Sequence, residues 1–445
     1  MRYYMGKHLK IRTVVLGFML ICVCGCGRSR EAAVGPTVIT EPVYQWGNVS
    51  GRTISVWGRE SDLSRSYITR AFERYEELTG NTVNVVPYSP DQMEQAVIDE
   101  LGRSDSELDL LLYFGGANLD AFHPDVNFYD FSEAKWVYDL TDMSINQAIY
   151  HGKVIGLPHW EASVSGTLYN KKLFHKLGIT PPRTQEEFQE ACRILKQNGI
   201  TPLYLPCASP TMLLYQFPMD AAVDEHGVME ALNDGNTGYQ DIGEMYRIVK
   251  WYRAMAQNGY LGDNYLENSW DGMSAALESG EYAMMLCWDT WLYTDFEGNS
   301  SDFGLMPAFV GVPDQGTFEG PNLSLLLVNK NSAQVDASLD LISFMADPYN
   351  YNAAFEGIYT APVFRQQMAS ISTPQYVEAA GWIEENYRNS IAWLNIKGFS
   401  QSDAACILKY MVSEDGYTAR QCLTDMEMLR QQRISSYSEA SAKKE

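Results

Sequence analysis

The chain is short of histidine, of positive charge and of long apolar runs. Six histidines stand singly among 445 residues, and no H-E-x-x-H pair occurs, so zinc hydrolysis has no ligand pattern to rest on. A G-x-S-x-G elbow and a Walker loop are also missing, which removes the commonest signals of serine hydrolysis and nucleotide hydrolysis. Lys and Arg number 33 against 56 Asp and Glu, a net charge of -23. Such a surface repels phosphate backbones and excludes nucleic acid as a partner. Beyond residue 26 the cysteines are Cys192, Cys207, Cys287, Cys406 and Cys422, with no C-x-x-C among them. No catalytic centre, metal or cofactor is expected from this set. One bridge, Cys192 to Cys207, is compatible with an exported protein, and buried free thiols are equally so.

What is present begins at the N-terminus. Arg2, Lys7, Lys10 and Arg12 precede the apolar run that starts at Val14, a charged n-region and a short h-region of an export signal. At about a dozen residues the run is shorter than the roughly 20 needed to span a membrane. It ends in Val23-Cys24-Gly25-Cys26, which resembles a bacterial lipobox. That resemblance implies cleavage before Cys26 and lipid on its thiol, with residues 1–25 as signal peptide and 26–50 as a flexible tether. A cysteine-rich ordinary signal, with Cys22 and Cys24, is the alternative. With 46% hydrophobic residues and no second long apolar run, the remainder reads as soluble and globular, long enough for two or three domains.

From Gly51 the pattern becomes regular. Thr53–Trp57 reads as a strand, Tyr67–Leu78 as an amphipathic helix closed by Gly80, Thr82–Pro87 as a strand, Gln92–Leu101 as a helix and Leu108–Tyr113 as a continuously apolar strand. This βαβ series predicts a parallel sheet, and ligands of such sheets sit beyond the carboxyl ends of the strands. The middle of the chain is helical at Leu173–Leu177, Gln185–Asn198, Gly243–Asn258 and Trp270–Ser279. Strands return at Tyr282–Leu286 and Leu323–Asn329, and the helix Val335–Ala346 meets Asp347-Pro348. The polar tail 435–445 reads as disordered.

Several segments together resemble the extracellular solute-binding proteins of bacterial ABC importers, especially the maltose-binding-protein-like family 1 sugar binders, over most of residues 51–365. They are Gly152-Lys153-Val154-Ile155-Gly156-Leu157-Pro158, Leu168-Tyr169-Asn170-Lys171-Lys172-Leu173-Phe174, Pro181-Pro182-Arg183-Thr184, the run Ala275–Met285, Asp302–Pro307, Gly320-Pro321-Asn322 and Asn329-Lys330-Asn331-Ser332. The resemblance implies an α/β fold of the periplasmic-binding-protein type II kind, two α/β lobes joined by a hinge with a ligand cleft between them. It places chain crossings near Pro158, Met306 and Pro348, so that the first lobe comprises 51–158 and 307–348 and the second 159–306 and 349–434. It also implies an extracytoplasmic monomer, held to the membrane through its N-terminal lipid, that captures a small solute and delivers it to the membrane subunits of an ABC permease. Two departures stand out: the segment 130–150 is short, and Cys287-Trp288-Asp289-Thr290-Trp291 occupies a turn where the family tends to place glycine, a small residue and tryptophan.

Sugar rings offer C–H faces that pack on aromatic rings and hydroxyl edges that want planar polar side chains. The loop ends supply that mixture in Trp57, Arg59, Glu60, Tyr88, Phe114, His159, Trp160, Glu161, Trp288, Asp289, Trp291, Asn322 and Tyr359. These are the candidate carbohydrate contacts. For each, the alternative is core packing, and Arg59-Glu60 reads equally as a surface pair. Trp136, Trp251, Trp270, Trp382 and Trp393 read as packing. Glu60, Glu161 and Asp289 are the best trio for a lipid-anchored glycoside hydrolase, and a surface sensor or adhesion module on the same fold is the other alternative.

Overall fold

This computed structural model describes residues 49–101, 103, 105–208, 228–320, 323–361, 363–367, 372–388, 396–413 and 416–442. Cys26 and the signal and tether readings through residue 48 lie outside them. In chain order the strands are β1 (Thr53–Arg59), β2 (Thr82–Tyr88), β3 (Leu110–Phe114), β4 (Ile149–Tyr150), β5 (Lys153–Val154), β6 (Leu157–Pro158), β7 (Ser165–Asn170), β8 (Thr201–Tyr204), β9 (Tyr282–Trp288), β10 (Phe303–Met306), β11 (Phe318–Glu319), β12 (Ser324–Val328) and β13 (Tyr387–Arg388). Of the two main sheets one has the order β2-β1-β3-β12-β6 and the other β13-β11-β7-β9-β8, with β10 also on β7, while β4 and β5 form a separate two-stranded ladder.

In the first sheet β1 runs parallel to β2 and β3, as two successive βα steps require. The helix Ser66–Thr79 buries Tyr67, Ile68, Ala71, Phe72 and Tyr75, a stripe at helical spacing, and Gly80 ends it in the left-handed region at φ 71°. β12 departs from the all-parallel expectation and lies antiparallel to β3 and β6. The cause is topological: the chain returns to this sheet from the other lobe, at the end where β3 leaves. Beyond β3, Gly115 is dictated by space, since a Cβ there would lie 2.2 Å from the Gln147 carbonyl oxygen.

Two hydrophobic cores follow the two sheets. The first gathers buried residues from Ile54 to Ala162 and from Leu323 to Phe364. The second, in two adjoining clusters, takes Val164 to Phe318 and Ala379 to Met426. The crossings therefore differ from the sequence reading. The first comes between Ala162 and Val164, a few residues past Pro158. The second is after β11, not at Met306, because Ala308, Phe309, Val310 and Val312 are buried in the second core and β11 pairs with β7 and β13. The third lies between Phe364 and Thr373. Pro348 ends one helix only to begin the next: the Asp347 carboxylate accepts from the Tyr349 and Asn350 N–H groups, and Tyr351 and Phe355 pack into the first core.

The tail differs too. The helix Ala419–Ala442 continues through much of the segment read as disordered. Cys192 and Cys207 are both buried and free, and no bridge joins them. Among the described residues, no helix is long and apolar enough to cross a membrane.

Candidate ligand site between the lobes

The crossings bring particular strand ends together. Pro158 ends β6 and Ser165 begins β7, while Glu319 ends β11 and Ser324 begins β12. Phe114, the last residue of β3, pairs with Ser324, and Ser165 pairs with Trp288, the last residue of β9. The carboxyl ends of β1 and β3 in one lobe thus face the carboxyl end of β9 in the other, the position at which open α/β sheets bind ligands.

On the first lobe two adjoining rings, flanked by a cation at each end, form a row. The Arg59 guanidinium lies 4.5 Å from the Phe114 ring centre. Phe114 meets Trp160 edge to face at 6.0 Å, and the Arg65 guanidinium stands 5.7 Å from the Trp160 ring. Each guanidinium has a carboxylate beside it: Arg59 Nε donates to Asp62 at 2.6 Å, and Arg65 lies 3.7 Å from Glu161. Burial pushes the Glu161 carboxyl up, and Arg65 offsets part of that rise. Burial pulls the Arg65 guanidinium down, but Glu161, Tyr67, Asp295 and Asp62 together outweigh it and hold its pKa above the ordinary value. Among the described residues the buried Nε atoms of Trp57 and Arg65 make no hydrogen bond.

The structure brings Arg59, Phe114, Trp160 and Glu161 into that one row. Trp57 is 5% exposed and packs against Tyr88 at 5.0 Å, so its ring belongs to the core while its Nε1 edge remains unmatched. Glu60 is exposed at the start of the short helix Glu60–Leu63. His159 is wholly buried between Tyr351 and Phe355, and burial lowers its pKa to about 4; it is a neutral core residue. Trp288 is half-buried and stacks on Trp270 at 5.3 Å. Tyr359 packs at a tilt against Tyr293 of the second lobe, ring centres 4.1 Å apart.

Two further expectations are corrected. Trp291 is 2% exposed and packs against Phe296 in the second core, because the chain turns into a helix at Trp291–Thr294 and points this ring inward. Asp289 is also 2% exposed; its carboxylate accepts from the Val164 N–H at 2.8 Å and the Thr373 hydroxyl at 2.5 Å, which leaves it inside the protein rather than at a ligand. Burial raises its pKa to about 6, partly offset by those bonds. Asn322 lies outside the described residues. Sequence reasoning missed Arg65, whose only signal was its place directly before a helix start, and assigned Trp270 to packing because nothing local ties it to Trp288. Among the described residues no group of three or more His, Cys, Asp or Glu could hold a metal ion.

Comparison with known proteins agrees with this architecture. Residues 70–380 match the family model described as bacterial extracellular solute-binding protein. Among solved structures, the SBP RafE in complex with raffinose superposes with a TM-score of 0.69 at 15% identity, over 86% of this chain and 99% of that one. A structure concerned with xylan utilization by the thermophilic bacterium Caldanaerobius polysaccharolyticus gives 0.68 at 15% identity, over 84% and 99%. A family 1 extracellular solute-binding protein from Bifidobacterium longum subsp. infantis gives 0.65 at 15% identity, over 85% and 99%. These likenesses establish the two-lobed α/β fold with a hinge, and with a family match that spans most of the sequence, the chain belongs to the bacterial extracellular solute-binding proteins.

Proposed function

We propose that this chain is a lipid-anchored, non-enzymatic receptor that captures a neutral carbohydrate between its lobes and passes it to an ABC-type permease. The observation that carries the sugar reading is the row Arg59, Phe114, Trp160, Arg65 on one lobe, with the half-buried Trp288 stacked on Trp270 at the end of β9 in the other. Rings supply apolar faces, and the guanidinium and carboxylate groups supply the donors and acceptors that hydroxyl pairs require. Raffinose in RafE and the xylan setting of a second similar structure support the same class of ligand. Neutrality follows from charge balance: Arg59 and Arg65 are each matched by a carboxylate, within a chain of net charge -23.

The lipid anchor rests on Gly25-Cys26 behind a basic and apolar leader, and delivery to a permease rests on family membership. A thermal-shift screen against neutral mono- and oligosaccharides, with phosphorylated and uronic sugars as controls, tests the reading. A true ligand at 100 times its dissociation constant adds about 2.7 kcal/mol of stability. A protein stabilised only by sugar phosphates would overturn the neutral assignment, and one that turns over an oligosaccharide would overturn the non-enzymatic one.

A further inference from the structure

The first and third crossings are tied to each other twice, once in each lobe. On the first-lobe side the Ala162 N–H donates to Thr360 Oγ1 at 2.7 Å, and the Ala361 N–H donates to the Ala162 carbonyl at 3.1 Å. On the second-lobe side both crossings end on one side chain. The Val164 N–H donates to Asp289 Oδ1 at 2.8 Å and the Thr373 hydroxyl donates to Oδ2 at 2.5 Å. The Asp289 N–H returns a bond to the Val164 carbonyl at 3.0 Å. Thr373 in turn accepts from the Tyr376 N–H at 3.0 Å and so caps the helix Pro374–Asn386.

Between the fixed points Ala162 and Val164 stands one residue, Ser163. Ala162 belongs to the first core and Val164 to the second. A hinge is a short stretch that absorbs a large φ/ψ change between bodies that each stay rigid, and rigidity on both sides is what confines the change to that stretch. An exported receptor has no general need to bury a carboxylate wholly. Here the carboxylate is placed where a single group can reach β9, the outgoing crossing and the returning crossing together.

We propose that Asp289 is the hinge clamp of the second lobe, a positioning residue that ties the first and third crossings to the end of β9 and thereby confines lobe movement in the first crossing to Ser163. Asp289 takes no part in contacting the solute; it sets how the Trp288 rim approaches the Arg65–Trp160 wall. The inference rests on the reading of the chain as a closing receptor, but its test needs no ligand, so the two fail separately.

The measurement is the distribution of distances between spin labels on Glu77→Cys in the first lobe and Glu186→Cys in the second, both exposed, in the full chain carrying Cys406→Ser and without ligand. Asp289→Ala and Thr373→Val should each broaden or shift the distribution in folded protein. Asp289→Asn, which keeps an oxygen toward Val164, and Thr373→Ser, which keeps the hydroxyl, should restore the parent distribution. Should Asp289→Ala fail to fold, Thr373→Val carries the test alone. Folded Asp289→Ala or Thr373→Val protein with the parent distribution, however much its melting temperature falls, would overturn the proposal, because a bond that only stabilises the second lobe leaves lobe geometry unchanged.

Discussion

Arg65 and Glu161 approach to 3.7 Å at the first-lobe wall without a direct hydrogen bond between them, although Glu161 is almost wholly buried. What the pair contributes to stability is open to experiment. Arg65→Met leaves a buried carboxylate without its cation. Breaking a fully buried pair costs about 3–5 kcal/mol, and the partial exposure of Arg65 brings the expected loss to about 1–3 kcal/mol. Because burial raises the folded-state pKa of Glu161, the stability it contributes is full below its unfolded pKa and lost as pH rises through the folded value. Removing Arg65 enlarges that loss. Denaturant unfolding should show the deficit of Arg65→Met widest at pH 8 and closing on acidification; a deficit constant across that range would show that Glu161 does not depend on Arg65.

Two buried groups near the crossings titrate in opposite senses and mask each other. Asp289, raised to about 6 from 3.8, contributes stability that is full below pH 3.8 and lost as pH rises through 6. His159, lowered to about 4 from 6.5, contributes stability present above pH 6.5 and lost as pH falls through 4. Each shift corresponds to about 3 kcal/mol at full extent. Asp289→Asn should therefore gain stability relative to the parent as pH rises from 4.5 to 7.5, while His159→Gln should lose it. Urea midpoints at the two pH values read both differences, and parallel behaviour of the two variants would contradict this assignment.

Much of the first lobe was legible because its helices and strands obey local periodicity: Val335–Ala346 is a helix over the residues read from the sequence, and Ser66–Thr79 extends the reading by a residue at each end. The crossings were less legible. Pro348 signals the end of a helix, but whether the next helix stays in the same lobe depends on Tyr351 and Phe355 finding the first core, a fact of tertiary packing. The Cys287–Trp291 turn shows the same limit. Trp288, Asp289 and Trp291 share a loop, yet one ring stays half-buried, one carboxylate turns inward to two distant chain segments and one ring enters the core. Residues 125 and 84 positions away from Asp289 in sequence decide its role.

Lipid attachment at Cys26 predicts that Cys26→Ala yields protein released from the membrane fraction. Fractionation followed by immunoblotting reads the outcome. A variant that stays with the membrane would remove the lipobox reading of Val23-Cys24-Gly25-Cys26 while leaving the solute-binding fold untouched.

Trp160 and Trp288 separate the two kinds of contribution an aromatic can make at this site. Trp160 is 9% exposed and lies edge to face with Tyr67 at 5.8 Å and Phe114 at 6.0 Å, so Trp160→Ala removes packing as well as a wall. A buried tryptophan truncated to alanine costs about 3–5 kcal/mol of stability. Trp288 is half-buried at the end of β9 and keeps Trp270 on one face, so Trp288→Ala should cost well under that. Its loss should instead fall on affinity, about 1–3 kcal/mol for a stacking platform, or roughly ten- to a hundredfold in Kd. Thermal unfolding and titration of both variants with the best sugar from the screen give the comparison. A strong stability loss in Trp160→Ala alongside a stable, weakly binding Trp288→Ala places the sugar against the second-lobe rim. Normal affinity in Trp288→Ala would mean that its stack with Trp270 is lobe packing and that the Arg59–Trp160 wall holds the sugar alone.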